Sequence, residues 1–475
     1  MKWFGVFLSA MLGFATLARA AEPPTTKALE QAPNCFASFW SWLNSSADDC
    51  PLSYAGVTLY GTLDVGYGYQ THGAPFNGNY DKGVAYKVQR FSNRGLFLWS
   101  PNALSSSTIG LKMEEPLGYG WSLIGVLESG VNPYSGMFMN PLRSLTDNNV
   151  NTLAHQSANG DSSRNGSWWD NSQGFASVSN QTYGALSFGR MNSLAAEVVS
   201  AYDPVGSNAF SLLSGSYGGF GNTELARVNT AFRYRLTYEN FRVGALAQVG
   251  GYAVGNGSMG QYQVQVGVDF GGLSLDAVVN WAKDAVSLSN FAGAPPAGYD
   301  VNTVLRGTLS NNSGALVVAR YFTGPWKLYA GYIRARSMNP TDDFANGFPT
   351  IAEGIIVPAG AVTFNAFDVN RILQTEWIGA QYSIRDDLEV SGGLYYHAQN
   401  DYLPAPAVCT GSGINTSSRK CAGSQGALSG LIDWKPVARV DLYAGVMVSN
   451  RWGGFASGAL HQQSIDPTVG LRVKF

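Results

Sequence analysis

The sequence predicts an all-β protein: a transmembrane antiparallel β-barrel of about sixteen strands, with a short helical segment before it. Three observations predict this. Only 13% of the residues are charged, while the chain holds 57 Gly, 24 Tyr, 24 Phe and 12 Trp; average soluble domains carry roughly 25% charged residues. Period-two alternation of apolar and polar residues recurs from Val57 to Phe475. Tight turns and long polar connections alternate along the chain.

The N-terminus, MKWFGVFLSAMLGFATLARA, has Lys2, an apolar run from Trp3 to Leu17, then Ala18-Arg19-Ala20. A charged start, a short apolar core and an A-x-A site predict a secretory signal peptide over residues 1–20, cleaved after Ala20. Residues 21–55 then form an N-terminal periplasmic segment and 56–475 the barrel. Loss of Lys2 and Arg19 takes the formal net charge from −2 to −4 (−2 − 2), a mild balance that argues against a nucleic-acid partner. The four cysteines form two close pairs in a chain bound for an oxidising compartment. Two local disulfides, Cys35–Cys50 and Cys409–Cys421, are expected. Neither pair has C-x-x-C spacing, so redox or zinc chemistry is not expected.

Each strand is read from its parity. In VTLYGTLDVGY, Val57, Leu59, Leu63 and Val65 share one face, and Thr58, Tyr60, Thr62 and Asp64 the other. QYQVQVGVDF sets Tyr262, Val264, Val266 and Val268 against Gln261, Gln263, Gln265 and Asp269. AFRYRL, LSLDAVVNW and the closing TVGLRVKF behave alike. A fourth strand at Gly174–Val178 and a tenth at Gly314–Phe322 carry weaker patterns. Tight turns are expected at Pro116–Gly120, Ser179–Tyr183, Glu239–Asn240, Gly271–Gly272, Thr323–Pro325, Arg385–Asp387 and Lys435–Pro436. Long connections lie near 71–104, 132–172, 192–227, 283–312, 337–370, 399–424 and 450–463, with a shorter one at 251–259. A sandwich has no reason to sort its loops so; an outer-membrane barrel places short turns in the periplasm and long loops outside. TVGLRVKF is expected to close the barrel against the first strand. Before that strand, Phe36, Phe39, Trp40 and Leu43 form a helical stripe.

No catalytic residue, cofactor or metal is expected. GNGSMG (Gly255, Gly257, Gly260) matches G-x-G-x-x-G but precedes alternating strand residues, not a helix. His72, His155, His397 and His461 lack partners at ligand spacing and read as surface residues.

VTLYGTLDVGYGY resembles the first strand of the Gram-negative general porins, a family of sixteen-stranded trimers. SSTIGLKMEEPLGYGWSLIGVLESGV resembles their second strand, turn and third strand, and YGALSFGR their fifth strand before the third loop. The resemblance implies a water-filled outer-membrane channel for passive diffusion of small hydrophilic solutes and ions, in a homotrimer surrounded by outer-membrane lipid and lipopolysaccharide. It implies that the assembly machinery reads Phe475, and that the connection Asn192–Arg227 folds inward to constrict the pore. Glu197 and Asp203 lie on that connection; inward parity places Lys112, Arg233 and Arg235 on the wall. Acids facing bases would set up a transverse field there. Arg90 and Arg94 would reach the pore mouth. Two other readings are a solute-selective channel with a saturable site for a sugar or small anion, and a barrel hydrolase.

Overall fold

The computed structural model describes residues 35–71, 95–99, 102–134, 136, 172–207, 209–213, 227–248, 260–288, 307–338, 351–352, 355–356, 367–402, 421–456 and 461–475. Arg90, Arg94, Cys409, His72, His155, Gly255, Gly257 and the expected signal peptide lie outside them. The chain divides into two units, Met1–Trp42 and Leu43–Phe475. In the first, Phe36, Phe39 and Trp40 are exposed, and the short helix α1 (Phe39–Asn44) buries none of its residues. Cys35, Cys50 and Cys421 are each disulfide-bonded.

The second unit is a closed antiparallel barrel of sixteen strands. They are β1 (Val57–Gln70), β2 (Thr108–Gly118), β3 (Trp121–Gly130), β4 (Gln173–Asn180), β5 (Gly184–Asn192) and β6 (Arg227–Tyr238). Then come β7 (Phe241–Gln248), β8 (Gly260–Phe270), β9 (Leu273–Leu288), β10 (Gly307–Thr323) and β11 (Trp326–Met338). The last are β12 (Arg371–Arg385), β13 (Leu388–Gln399), β14 (Gly423–Val437), β15 (Val440–Gly453) and β16 (Gln463–Lys474). β16 pairs with both β15 and β1, so the sheet has no free edge.

The expected parity fixes the faces. Val264, Val266, Val279, Val317, Ile378, Leu394 and Leu428 are exposed on the outside, as lipid-facing residues must be. Aromatic pairs flank this belt at both ends. Trp121–Tyr183 (6.0 Å) and Trp326–Tyr382 (4.6 Å) lie by the short turns, and Tyr262–Trp281 (5.8 Å) by the long loops.

Two boundaries differ from expectation. The turn placed at Lys435–Pro436 falls at residues 438–439, because Pro436 occupies a bulge between Trp434 and Val437. A bulge accommodates a residue with no N–H to give the ladder. The connection placed at 283–312 is shorter, since β9 runs to Leu288 and β10 starts at Gly307 across another bulge. His397, read as a surface residue, is buried on β13 with Phe455 edge-on at 6.4 Å.

The first hairpin of the barrel is incomplete. β1 pairs with β2 from Val57 to Thr62, and with a short strand, Leu96–Trp99, from Tyr67 to Gln70. Residues 63–66 have only β16 as strand partner. The chain between, Asn102 to Ser107, turns into the barrel, with Ala103 and Leu104 buried. Side chains patch the open ladder. Ser107 Oγ accepts from Asp64 N (2.9 Å), and the Tyr134 hydroxyl lies 2.7 Å from both Gly66 N and Gly66 O. The Asp64 carboxylate accepts from Leu104 N and Ser105 N, both at 2.7 Å, and from the Tyr443 hydroxyl.

At the turn end, Leu52–Tyr54 adds a short strand to β1. The wholly buried Arg439 fixes the chain just before it, donating through Nη2 to the carbonyls of Ser46 (2.9 Å) and Cys50 (2.6 Å). Arg439→Ala is expected to free residues 43–54 while leaving the ladders intact. Charge-assisted hydrogen bonds of this kind are worth about 1.5–3 kcal/mol each. Limited proteolysis should cleave the variant in this segment much faster; an unchanged digest would remove the anchor.

Candidate functional site

The connection after β5 folds into the barrel. Ser193 caps helix α2 (Leu194–Ala201), its hydroxyl accepting from Ala196 N at 3.1 Å. The helix lies against β7 to β10, with Leu194, Ala195, Val198 and Val199 buried on the wall. Gln263 Oε1 accepts from Ala195 N (3.1 Å). Beyond the helix the chain continues along the inner wall. The Tyr202 carbonyl accepts from Trp377 Nε1 and the Pro204 carbonyl from Gln381 Nε2, both at 2.9 Å on β12. Gly379 permits that approach: a Cβ there would lie 2.4 Å from Pro204 Cβ. Phe210 then packs edge-on to Tyr443 of β15 (6.3 Å), and Ala209 N donates to Ala103 O (2.9 Å).

This seating is mainly apolar. Phe210, Leu212 and Leu213 of the loop share one buried cluster with the inward-facing Val278, Leu316, Ile333, Trp377, Tyr395 and Leu431. The inner wall from β7 to β15 is thereby covered. The inner wall of β2 and β3 stays more open, with the Lys112 side chain 45% exposed, and at the edge of the seated loop the Arg235 side chain of β6 is 41% exposed.

The site residues expected from sequence divide. Glu197, Arg233 and Arg235 come together: Glu197 Oε1 is 2.8 Å from Arg233 Nη1, and its other oxygen meets Arg235. These charges touch, so they do not face one another across open water. Lys112 pairs with Glu114 (2.8 Å) on its own strand. Asp203 is corrected: it is buried away from the lumen, accepting from the Tyr395 hydroxyl (2.8 Å) and from Val205 N (3.1 Å). Burial pushes its carboxyl above the usual carboxylate range, against hydrogen bonds from Ser211, Tyr395 and the backbone.

Sequence reasoning missed the ionic girdle beneath the loop. Arg242 bridges Asp276 (2.8 Å) and Asp269, and Asp276 also accepts from the Tyr202 hydroxyl and from Gln265 (2.8 Å). Lys327 pairs with Glu389 (2.7 Å), and Arg472 (2.8 Å) and Lys474 (3.2 Å) with Asp441. Arg320 stacks on Tyr202 (5.1 Å) and Phe322 (4.7 Å) and donates to Ala201 O at the end of α2 (3.4 Å), where a helix favours a cation. The inward parity of these charges was the only sequence signal for them.

A sixteen-stranded membrane barrel with a charged lumen and a loop seated inside it is a diffusion channel by architecture. The chain belongs to the Gram-negative porin family, whose family model matches residues 8–423, and it is an outer-membrane porin. Among solved structures, the anion-selective porin from Comamonas acidovorans has a TM-score of 0.55 at 14% identity, covering 88% of this chain and 99% of that one. In-vitro folded OmpT, an outer membrane protein of Vibrio cholerae, has a TM-score of 0.52 at 14% identity, covering 90% and 100%. The outer membrane channel DcaP of Acinetobacter baumannii has 0.50 at 15%, covering 89% and 99%. At such identities the likeness is one of fold. No curated protein matches the sequence.

Proposed function

We propose that small hydrophilic solutes and ions cross through the uncovered part of the lumen, between the seated loop and the inner wall of β2 and β3. The observation that supports this reading is the seating of the loop on the opposite wall, from β7 to β15. Lys112, Glu197, Arg233 and Arg235 border the narrow passage, and Asp203 holds the loop that forms it. Arg90 and Arg94 serve the outer mouth. The passage is passive and involves no chemical step. The subunits form a homotrimer, a reading supported by the trimer form described for OmpT of Vibrio cholerae. Outer-membrane lipid and lipopolysaccharide surround the barrel, and the assembly machinery reads Phe475. Conductance in planar bilayers, across several salts and sugars, tests the channel; a sugar that blocks the current saturably would favour a solute-selective site instead.

Glu197→Gln sharpens the test. It removes the carboxylate between Arg233 and Arg235 and keeps the side chain's shape. A unit charge at ~4 Å is worth about 1 kcal/mol in water, in favour of anions and against cations once the carboxylate is gone, so the anion-to-cation permeability ratio should rise by up to roughly thirtyfold. Reversal potentials across a salt gradient read this directly. An unchanged potential would place the ion path away from α2.

A further inference from the structure

The inner wall that the loop leaves open is not uniformly polar, although a water-filled lumen asks for polar residues there. On β3 the inward positions next to Glu128 are Ile124 and Val126, both partly exposed. Register sets Val126 between Lys112 of β2 and Phe175 of β4, and Ile124 between Glu114 and Ser177. Tyr60 of β1 reaches over β2, its hydroxyl donating to the Glu128 carboxylate of β3 (3.2 Å). Gly110 of β2 permits this course: a Cβ there would lie 2.4 Å from Tyr60 Cζ. On the other side the Arg233 guanidinium stands over the Phe175 ring (5.8 Å). Ile124 and Val126 thus lie between the rings of Tyr60 and Phe175, with Lys112 at one end of the strip and Arg233 at the other.

The charges around this strip differ in what they can still bind. Glu128 has both oxygens engaged, by Tyr60 and by Ser172. Glu197 has both engaged as well, by Arg233 and Arg235. Lys112 meets Glu114, but as an exposed pair, and such pairs are held weakly. A lysine ammonium also keeps further donors when one is in use. The strip therefore offers a solute apolar surface with a hydrogen-bond donor beside it. We propose that it is a resting site for organic anions with an apolar body, aromatic monocarboxylates above all, on the passage inferred above. The ring of the solute lies on Ile124 and Val126, edged by Tyr60 and Phe175, as aromatic groups pack in proteins. Its carboxylate meets Lys112. Acetate has the same charge and no body to lay on the strip, so it passes without stopping.

The test is single-channel recording of the full-length protein in sodium acetate, with sodium benzoate added. Benzoate is expected to block the acetate current saturably. Replacing Ile124 and Val126 together by Thr keeps their branched shape and removes a methyl from each strip residue. The half-blocking concentration of benzoate should then rise roughly eightfold, the size expected from about 50 Å² of apolar contact, while the acetate conductance stays as it was. Val126→Thr alone serves where the double variant does not assemble. Benzylammonium, of similar size and opposite charge, should block far less. A channel that passes no acetate overturns the passage and the strip with it. One that conducts acetate and shows no benzoate block, or a block that survives the Thr variants, overturns the strip alone. Equal block by benzoate and benzylammonium overturns the assignment to anions.

Discussion

Asp64→Ala is expected to lower the thermal denaturation point of the barrel sharply and to make its open current noisy. Asp64 is fully buried and holds three donors: Leu104 N, Ser105 N and the Tyr443 hydroxyl. A buried group left without its partner costs about 1–3 kcal/mol. Three such losses, not fully additive, place the effect at roughly 3–6 kcal/mol. The damage falls where β1 lacks a strand neighbour, so Asn102 to Ser107 lose their anchor first. Asp64→Asn keeps one acceptor and should do less. Heat-modifiability on gels gives the stability, and single-channel recording gives the noise. A variant with wild-type values of both would mean that Ser107 and Tyr134 patch the wall without it.

Asp203→Ala acts on the other internal segment. It removes the acceptor for Tyr395 and for Val205 N at the middle of the loop, about 2–4 kcal/mol of seating. The apolar contacts of Phe210 and Leu213 remain. The loop should therefore fluctuate and not leave the wall, giving bursts of larger conductance. The pH dependence has a definite sign. With the carboxyl pKa raised by burial, the seated loop holds this proton more tightly than a released one. That contribution is complete below the free carboxylate value of ~3.9 and is lost as pH rises through the raised value. The loop should be quietest in acid, and Asp203→Asn, which does not titrate, should abolish the trend. Noise independent of pH in the wild type would show that the charge of Asp203 has no part in seating.

The barrel was legible in the sequence because lipid and water demand opposite side chains on alternate residues. Where the inner face does not meet water, the pattern weakens. β10 reads Ala-Leu-Val-Val-Ala across Ala315–Ala319 because its inward Leu316 and Val318 pack on the loop. That is why the strand stood out poorly. Glu197, Arg233 and Arg235 were identifiable as lumen charges, yet their contact was not, since it depends on how α2 meets β6. Asp203 carried a readable signal. In Asp-Pro-Val the side chain turns back on its own backbone, as Asx turns do, and the 3.1 Å bond to Val205 N is that turn. Its partner Tyr395 lies 192 residues away, beyond any local pattern. The break between β1 and β2 left no trace, because side chains from Ser107 and Tyr134 replace backbone pairs there.

The apolar seat of the loop also bears on the order in which the molecule forms. Leu194 and Phe210 bury against walls supplied as late in the chain as β15, while the seam joins Thr62 to Lys474. Contacts so far apart in sequence form slowly. A sheet that has reached β15 but not met β1 already offers Trp377 and Leu431 as a surface on which the loop can dock. Docking at that stage covers an oily inner face that would otherwise attract other chains. The loop then acts first as an internal template for the curling sheet, before the seam between β1 and β16 shuts.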